Sequence, residues 1–357
     1  MQSVIIGSNQ AGQRFDKFLH KYLPEAGSGF LYKMLRKKNI TLNERKADGK
    51  ELLKEGDRVT FFFSDETFSK FSGLLVMSEV DEAASPKDVP ENRQIQQYMD
   101  AYKKYAGKIS VLYEDENVLI ANKPAGILTQ KAEAKDMSLN EWLVGYLLHK
   151  GSISGEELRT FRPSVCNRLD RNTSGIVLCG KSLPGLQALS RVIKDRTIRK
   201  FYRTICVGEM KKSAVLNGYL KKDERTNRVT VVRENPGGDS KNYAPIHTAY
   251  HPLVTNGKYT LLEVELITGK THQIRSHLAS VGHPIIGDGK YGNQKANQFF
   301  RKEIGLQNQL LHAYRLEFPQ EEGVLEPLSG QNVTAPCPKL FWHITEQLFP
   351  HFTDFHE

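Results

Sequence analysis

The sequence contains few cysteines and no spacing that would pair them. Four cysteines occur among 357 residues, at positions 166, 179, 206 and 337, and no two of them form a Cys-x-x-Cys pair. Their positions show no spacing typical of a disulfide framework, so these side chains are predicted to be reduced, buried thiols. We therefore expect a reducing compartment, the cytoplasm.

Long apolar runs are also missing. No stretch approaches the roughly 20 apolar residues that a membrane-spanning helix needs, and residues 1–10 lack the charged start and apolar core of a secretion signal. The sequence thus predicts no membrane segment.

No Gly-rich dinucleotide or methyl-donor fingerprint follows a strand pattern, which removes the main support for redox and methyl-transfer chemistry.

The charge balance indicates a polyanionic partner. The formal net charge is +9 and the isoelectric point is near 9.2, while the hydrophobic fraction of 39% is that of a globular protein. Clustered Lys and Arg gain free energy by releasing counterions from phosphates, so RNA or DNA is a natural partner. The length exceeds that of one typical domain and favours two.

Residues 1–63 are predicted to form a small basic domain. They contain twelve Lys and Arg against seven Asp and Glu, a net charge of +5, and helical spacing of apolar residues gives way to strand alternation. This order resembles the alpha-L RNA-binding module, named after a small-subunit ribosomal protein, although a merely solvated basic face is the plainer alternative. The resemblance implies that the second helix contacts RNA phosphates through Lys33, Arg36, Lys37 and Lys38.

The remaining sequence separates into a linker and a larger domain. Residues 64–94 are too polar and too interrupted by proline to build a core, so we predict a flexible linker. Residues 95–357 are predicted to form an α+β domain around a mostly antiparallel sheet flanked by helices, because strand and hairpin patterns outnumber helical ones. The domain opens on an aromatic stripe at helical spacing, which we interpret as packing rather than base stacking: Tyr98, Tyr102 and Tyr105.

The densest polar motif lies at 167–175 and reads Asn-Arg-Leu-Asp-Arg-Asn-Thr-Ser-Gly. Asp170 stands between Arg168 and Arg171, and neighbouring cations keep a carboxylate ionised, as a nucleophile requires. The alternative interpretation is an ordinary surface loop with solvated charges, which would have a similar composition. A second dense motif at 266–275, Leu-Ile-Thr-Gly-Lys-Thr-His-Gln-Ile-Arg, favours an active site, because two such motifs rarely serve packing alone.

Together these motifs resemble the RluA-type family of RNA pseudouridine synthases. The family pattern reads His-Arg-Leu-Asp, two variable residues, then Thr-Ser-Gly, and here Asn167 takes the place of the His. Lys270 replaces an Arg in the second motif, and Lys-Phe-Tyr at 200–202 fits the family's Lys-x-Tyr. The resemblance spans about residues 109–318. It implies the pseudouridine synthase fold and the isomerisation of uridine to pseudouridine in RNA, without a cofactor.

Carried over residue by residue, the resemblance also implies roles. Asp170 would be the nucleophile, and Arg168 would occupy the gap left by a flipped base. Tyr202 would stack on the uracil and move a proton, while Arg275 would pair with Asp170. The apolar wall of the pocket is expected to consist of Leu266 and Ile267.

Other readings remain open at this point. Large-subunit ribosomal RNA is the preferred substrate by analogy, tRNA is possible, and a monomer is expected. A non-catalytic RNA-binding protein that kept the fold is the alternative function, with Asn167 as its only support.

Two competing motifs are weak. Residues 175–182 match the phosphate-loop pattern G-x-x-x-x-G-K-[ST], but the four intervening residues read as a strand instead of a loop. His272 and His277 are five residues apart, off the spacing that places two ligands on one helical face, so no metal site is predicted.

Overall fold

The computed structural model describes residues 1–72, 90–223, 225, 226, 228–234 and 243–353. The N-terminal part folds into β1 (Gln2–Ile5), α1 (Phe15–Tyr22), α2 (Ser28–Arg36), β2 (Ile40–Leu42), β3 (Arg58–Phe61) and α3 (Asp65–Ser72). The remainder contains α4 (Pro90–Tyr105), β4 (Ser110–Glu114), β5 (Val118–Lys123), α5 (Leu139–His149), β6 (Ser164–Val165), β7 (Ser174–Gly180), α6 (Leu183–Lys194), β8 (Arg199–Val207), β9 (Ala214–Asp223), β10 (Arg228–Val232), β11 (Ala244–Thr255), β12 (Tyr259–Leu266), α7 (Gln273–Ser280), α8 (Gln294–Ile304), β13 (Leu311–Glu317), β14 (Asn332–Thr334) and α9 (Lys339–Leu348).

The N-terminal unit is a three-stranded antiparallel sheet, in the order β1-β3-β2, with its own aromatic core. Phe15 and Phe18 from α1 are fully buried against Phe61 of β3. The helix α3 belongs to this unit, because Phe68 is buried in the same core. Residues 65–72 are therefore part of this unit and not of the predicted linker, because Phe68 and Phe71 pack in its core. Residues 73–89 of that linker lie outside the described part of the chain.

The N-terminal unit also contacts the larger one. The Arg159 guanidinium donates a hydrogen bond of 3.1 Å to the Ser72 carbonyl and lies over the Tyr22 ring, 5.4 Å from its centroid. The Gln10 amide donates to the Thr160 hydroxyl at 2.8 Å. The buried apolar residues of the two units form separate clusters, so each unit has its own hydrophobic core.

The larger unit is built on an eleven-stranded sheet. Its main path runs β10-β9-β11-β12-β8-β13-β7-β5-β4, with β14 paired to β13 and β6 to β7. The described pairings between these strands are antiparallel except β13 with β7, whose register places His312 opposite Ser174. The predicted α+β class with a mostly antiparallel mixed sheet is confirmed.

Helices cover both faces of the sheet, and α4 and α5 cover the face that carries the pocket. A capping box at Ser138 and Glu141 starts α5, as its sequence predicts. Tyr98 and Tyr105 of α4 are buried in the same core as Trp142, so packing explains the aromatic stripe. The helices approach closely because Gly145 has no side chain: a Cβ there would lie 2.1 Å from the Tyr98 carbonyl oxygen.

Residues 175–182 do not form a phosphate loop. The stretch lies mostly within β7, every residue of which is buried. The predicted burial of the four cysteines holds fully for Cys179 and Cys206, whereas Cys166 and Cys337 are partly exposed. In the described ranges, none of the helices has both the length and the apolar character needed to cross a bilayer.

Candidate active site

A pocket opens over the centre of the large sheet, where the motif loop meets the start of α7. The loop lies between β6 and β7 and contributes Asp170, and β8 contributes Tyr202 beneath it. The complete lining is Arg168, Leu169, Asp170, Thr173, Tyr202, Leu266, Lys270, His272, Gln273, Ile274, Arg275 and Leu311. Both sequence motifs therefore face one cavity.

Asp170 is held by a buried arginine. The Arg275 Nη1 donates to the Asp170 carboxylate at 2.8 Å, so the predicted pairing of these two side chains is confirmed. The Arg275 side chain is 7% exposed and that of Asp170 is 27% exposed. The carboxylate thus reaches the cavity while its partner stays inside the protein.

A second carboxylate fixes Arg275 from behind. Asp288 accepts from Arg275 Nε at 2.8 Å and from Nη2 at 2.9 Å, and its side chain is completely buried. Burial alone would lower the pKa of Arg275, but the hydrogen bonds and charge of Asp288, together with Asp170, raise it. The guanidinium stays charged and points one remaining edge at Asp170.

Tyr202 lies under the same cavity and remains protonated. Burial raises the pKa of its hydroxyl, and the negative charge of Asp170 raises it further. The side chain is 6% exposed, and the register of β8 with β12 places it opposite Val264. Its ring belongs to the main core, so the tyrosine combines a packed aromatic body with a polar tip at the cavity.

The side chains of Thr129 and Lys123 hold the backbone of the motif loop through hydrogen bonds. The Thr129 hydroxyl donates to the Leu169 carbonyl at 2.8 Å and accepts from the Leu169 amide at 3.2 Å. The fully buried ammonium of Lys123 donates to the carbonyls of Pro124, Ile127 and Arg171. Burial lowers the pKa of Lys123 to about 7, although the nearby charge of Asp170 opposes this shift.

The second half of the loop is fixed to the start of β13. The Gln309 amide donates to the Thr173 hydroxyl at 3.0 Å. His312 accepts from the Ser174 hydroxyl at 2.8 Å, because its other nitrogen, 3.1 Å from the Ala335 carbonyl, must carry the proton. Gly175 has a φ of +116°, and a Cβ there would lie 2.2 Å from the Ala313 carbonyl oxygen. Each residue of Thr-Ser-Gly thus has a distinct structural task.

Asn167 does not line the cavity. Its amide oxygen accepts from the Leu178 N–H at 2.7 Å, and its amide nitrogen donates to the Ile176 carbonyl at 3.4 Å. The side chain therefore ties the loop to β7, away from Asp170. The departure from the His of the family pattern leaves the pocket lining intact, so the non-catalytic alternative loses its only sequence support.

The other predicted site residues are divided between two places. Arg168 and Leu266 line the cavity, and Arg168 is exposed and forms no hydrogen bond with a described residue. Ile267 does not line it, which corrects the predicted wall: it follows the end of β12, and adjacent residues of an extended chain point in opposite directions. The predicted RNA-contacting cations are exposed on the N-terminal unit, at Lys33, Arg36, Lys37 and Lys38.

Sequence reasoning missed Lys123 and Asp288 as supports of the site. Lys123 ends the apolar strand β5 and precedes Pro-Ala-Gly, and a lysine inside an apolar run was an available signal. Asp288 follows a Gly-rich turn, where an aspartate usually has only a local role. Its partner Arg275 is thirteen residues away, and only the fold brings them together.

Comparisons with known proteins agree with these motifs. A model described as RNA pseudouridylate synthase matches residues 117–280. The chain is 29% identical over 324 residues to ribosomal large subunit pseudouridine synthase C of Vibrio parahaemolyticus, covering 89% of this chain and 88% of that protein. It is 26% identical over 344 residues to ribosomal large subunit pseudouridine synthase D of Xanthomonas campestris, covering 95% and 89%.

A solved structure also matches. Human RNA pseudouridylate synthase domain containing 4 superposes with a TM-score of 0.55 at 23% identity, over 71% of this chain and 97% of that one. This likeness supports the fold of the larger unit.

Proposed function

The chain belongs to the RNA pseudouridylate synthase family, and from this premise we propose that it isomerises specific uridines of large-subunit ribosomal RNA, with Asp170 as the nucleophile. The names of the relatives from Vibrio and Xanthomonas support the ribosomal substrate. One observation carries the role of Asp170: its carboxylate faces the cavity while a buried arginine holds it at 2.8 Å. Transfer RNA remains the second substrate to test.

The reaction needs no redox change. The bond between N1 of the uracil and C1′ of the ribose breaks, the base rotates, and C5 bonds to C1′. The C5 proton leaves and N1 gains a proton, so atoms and electrons balance without a cofactor. Asp170 would attack either C1′ or C6 of the pyrimidine, and both routes leave a covalent adduct whose carboxylate charge is lost.

The loss of that charge has a consequence for Tyr202. Burial and the charge of Asp170 both raise the pKa of its hydroxyl in the free protein. Once Asp170 is esterified, the electrostatic cause disappears and the pKa of the phenol falls, so the hydroxyl can give up its own proton, which supplies the one that N1 gains. As a phenolate, Tyr202 would then take the C5 proton late in the reaction, after the base has rotated, and the hydroxyl would be restored.

Access to the base requires that it leave its stack, at a cost of a few kcal/mol. Arg168 is exposed at the rim of the cavity, where its side chain would fill the gap in the RNA. Leu266, Ile274 and Leu311 would supply the apolar surface on which the uracil rests. The pocket thus combines one apolar wall with a charged edge.

The N-terminal unit would hold RNA away from the pocket. Its exposed cations, Lys33, Arg36, Lys37 and Lys38, suit contacts to phosphates. Because ribosomal RNA is the proposed substrate, we propose a cytoplasmic location for the protein. The monomeric state stays a prediction.

Nucleotide-resolution mapping of pseudouridine tests this proposal. Ribosomal and transfer RNA would be compared from cells with the gene, without it, and without it but supplied with the wild-type or Asp170→Asn protein. We expect a small set of large-subunit positions to lose pseudouridine without the gene and to regain it only with the wild-type protein. Unchanged maps would contradict the proposed activity, and losses confined to transfer RNA would contradict the ribosomal substrate.

A further inference from the structure

We propose that His272 is a further substrate-binding residue, whose Nε2–H donates a hydrogen bond to a carbonyl oxygen of the flipped uracil. The inference rests on the proposed function, because that function supplies the acceptor. His272 lines the same cavity as Asp170 and Tyr202 and immediately precedes α7. It can donate this hydrogen bond only if its ring proton is on Nε2.

A hydrogen-bond chain from the edge of the sheet favours one position for that proton. The Val229 N–H of β10 donates to the Tyr291 hydroxyl oxygen at 2.9 Å, and that oxygen lies 3.0 Å from His272 Nδ1. The phenol oxygen already accepts from the backbone, so its single proton is free to be donated to Nδ1. An accepting Nδ1 leaves the ring proton on Nε2.

The surrounding charges agree with a neutral ring. Burial lowers the pKa of His272; Arg275 and Lys290 lower it further, whereas Asp170 and Asp288 oppose them. The Arg275 guanidinium also lies over the Tyr291 ring, 5.3 Å from its centroid, which disfavours a second cation beside it. A neutral imidazole has one donor and one acceptor, and here the acceptor is occupied.

The backbone gives an independent reason to assign His272 a function. Its φ is +53°, in the left-handed region that non-glycine residues rarely adopt. Such strain persists where the surrounding structure imposes it, and it clusters at ligand sites. Nε2 forms no hydrogen bond with any residue that the structure describes, so a donor is left open at the cavity.

Nuclear magnetic resonance tests the tautomer without any RNA. The full chain has eleven histidines, so ¹⁵N-histidine labelling with His272→Gln as the assignment variant isolates the signal of residue 272. We expect a proton on Nε2 in the wild-type protein and a mixture of both tautomers in Tyr291→Phe. A proton on Nδ1 in the wild type would overturn the proposal.

A matched pair of substitutions tests the hydrogen bond in turnover. Gln places an amide N–H near the position of Nε2, whereas Leu places none, and both bear the same strain at a positive φ. With 5-tritiated large-subunit ribosomal RNA, we expect His272→Leu to lower kcat/KM about tenfold and His272→Gln to stay within about threefold of wild type. Equal values for the two variants would overturn the role of the donor.

The two measurements separate this proposal from the one on which it rests. An active wild-type enzyme with Nδ1–H, or with equal Gln and Leu variants, contradicts only the role of His272. A wild-type protein that releases no tritium from ribosomal or transfer RNA contradicts the proposed function. In that case no flipped uracil accepts a hydrogen bond from His272, so the proposed role of His272 is contradicted too.

Discussion

The pocket and the N-terminal unit both concentrate charge, but they hold it in opposite ways. In the pocket, Arg275 and Asp288 are buried and joined by hydrogen bonds shorter than 3 Å. On α2 and just after it, four cations are exposed, and none forms an ion pair with a described residue: Lys33, Arg36, Lys37 and Lys38. Buried pairs fix geometry and are costly to break, whereas exposed cations act additively and depend on salt.

The largest effect is expected at Asp170. Replacing it with Asn keeps the shape of the side chain but removes the nucleophile, so turnover should fall by roughly 10⁴-fold or more. RNA affinity should stay within a few fold. Tritium release from 5-tritiated RNA and filter binding measure the two quantities. Appreciable release by this variant would remove Asp170 from the chemistry.

Asp288 is expected to matter for stability. Asp288→Asn leaves the buried charge of Arg275 without its bidentate partner, so the free energy of unfolding at pH 7 should fall by about 3 kcal/mol. Asp195→Asn, at an exposed position, is the control and should change it by less than about 0.5 kcal/mol. Urea unfolding measures both.

The pH dependence of the Asp288 effect has a definite sign. Burial would raise the pKa of Asp288, but the hydrogen bonds and charge of Arg275 outweigh it and hold this pKa below the ordinary 3.8. Its contribution to stability is therefore complete above about pH 3.8 and is lost as the pH falls through the lower, folded-state pKa. The difference in free energy of unfolding between wild type and Asp288→Asn should become smaller only in that acidic range. A difference that does not change with pH would show that the charge of Asp288 is not the cause of the lost stability.

Tyr202→Phe separates packing from proton transfer. The ring remains in the core, so RNA affinity should persist, while loss of the hydroxyl should slow removal of the C5 proton by about 10²-fold. Tyr259→Phe is the matched control, because Tyr259 is also buried on the sheet but belongs to another core. Equal rates for wild type and Tyr202→Phe would mean that another group takes the proton.

The smallest effect on turnover is expected from the exposed cations. Changing Lys33, Arg36, Lys37 and Lys38 to Gln should reduce the slope of log K against log salt by about 0.7 to 0.9 for each lost phosphate contact, or roughly 2 to 3 for three contacts. Turnover at saturating RNA should not change. The control changes four exposed lysines elsewhere, at Lys103, Lys104, Lys295 and Lys302. Equal slopes for both variants would assign the N-terminal unit a role other than binding phosphates.

Charge substitution is the sharper test than truncation at residue 63. The helix α3 completes the N-terminal core through Phe68. Deleting residues 1–63 would therefore leave α3 without the core it packs on, and would expose its apolar surface. Arg159 would also lose its contact with the Tyr22 ring, and Thr160 would lose the hydrogen bond from Gln10. A changed affinity after truncation would then have several causes.

Local patterns were enough to predict much of the fold. The hairpin of β4 and β5, the capping box of α5 and the buried strand β7 each follow from neighbouring residues. The pairing of Asp170 with Arg275 was predicted only through the resemblance of two whole motifs. Residue patterns alone carry no information on which distant segments meet.

The supports of the site could not be predicted for the same reason. Gln309 and His312 lie more than 130 positions from the loop they hold, because β13 inserts between β7 and β8. Ile267 failed as a wall residue because the prediction assigned two adjacent residues to one side of an extended chain. The left-handed backbone conformation of His272 could not be predicted from the sequence either, because the residues that most often adopt this conformation are glycine and asparagine.

The side-chain carboxamide of Asn167 makes the hydrogen bonds to β7 that a backbone peptide group would make. Its carboxamide offers β7 one acceptor and one donor, at the spacing that a neighbouring strand would provide, where β6 has already ended. At this position the fold needs a small planar group that extends the hydrogen bonding along β7 by one more residue. Side chains that meet this need can replace one another here while the reacting groups, on the far side of the loop, keep their positions.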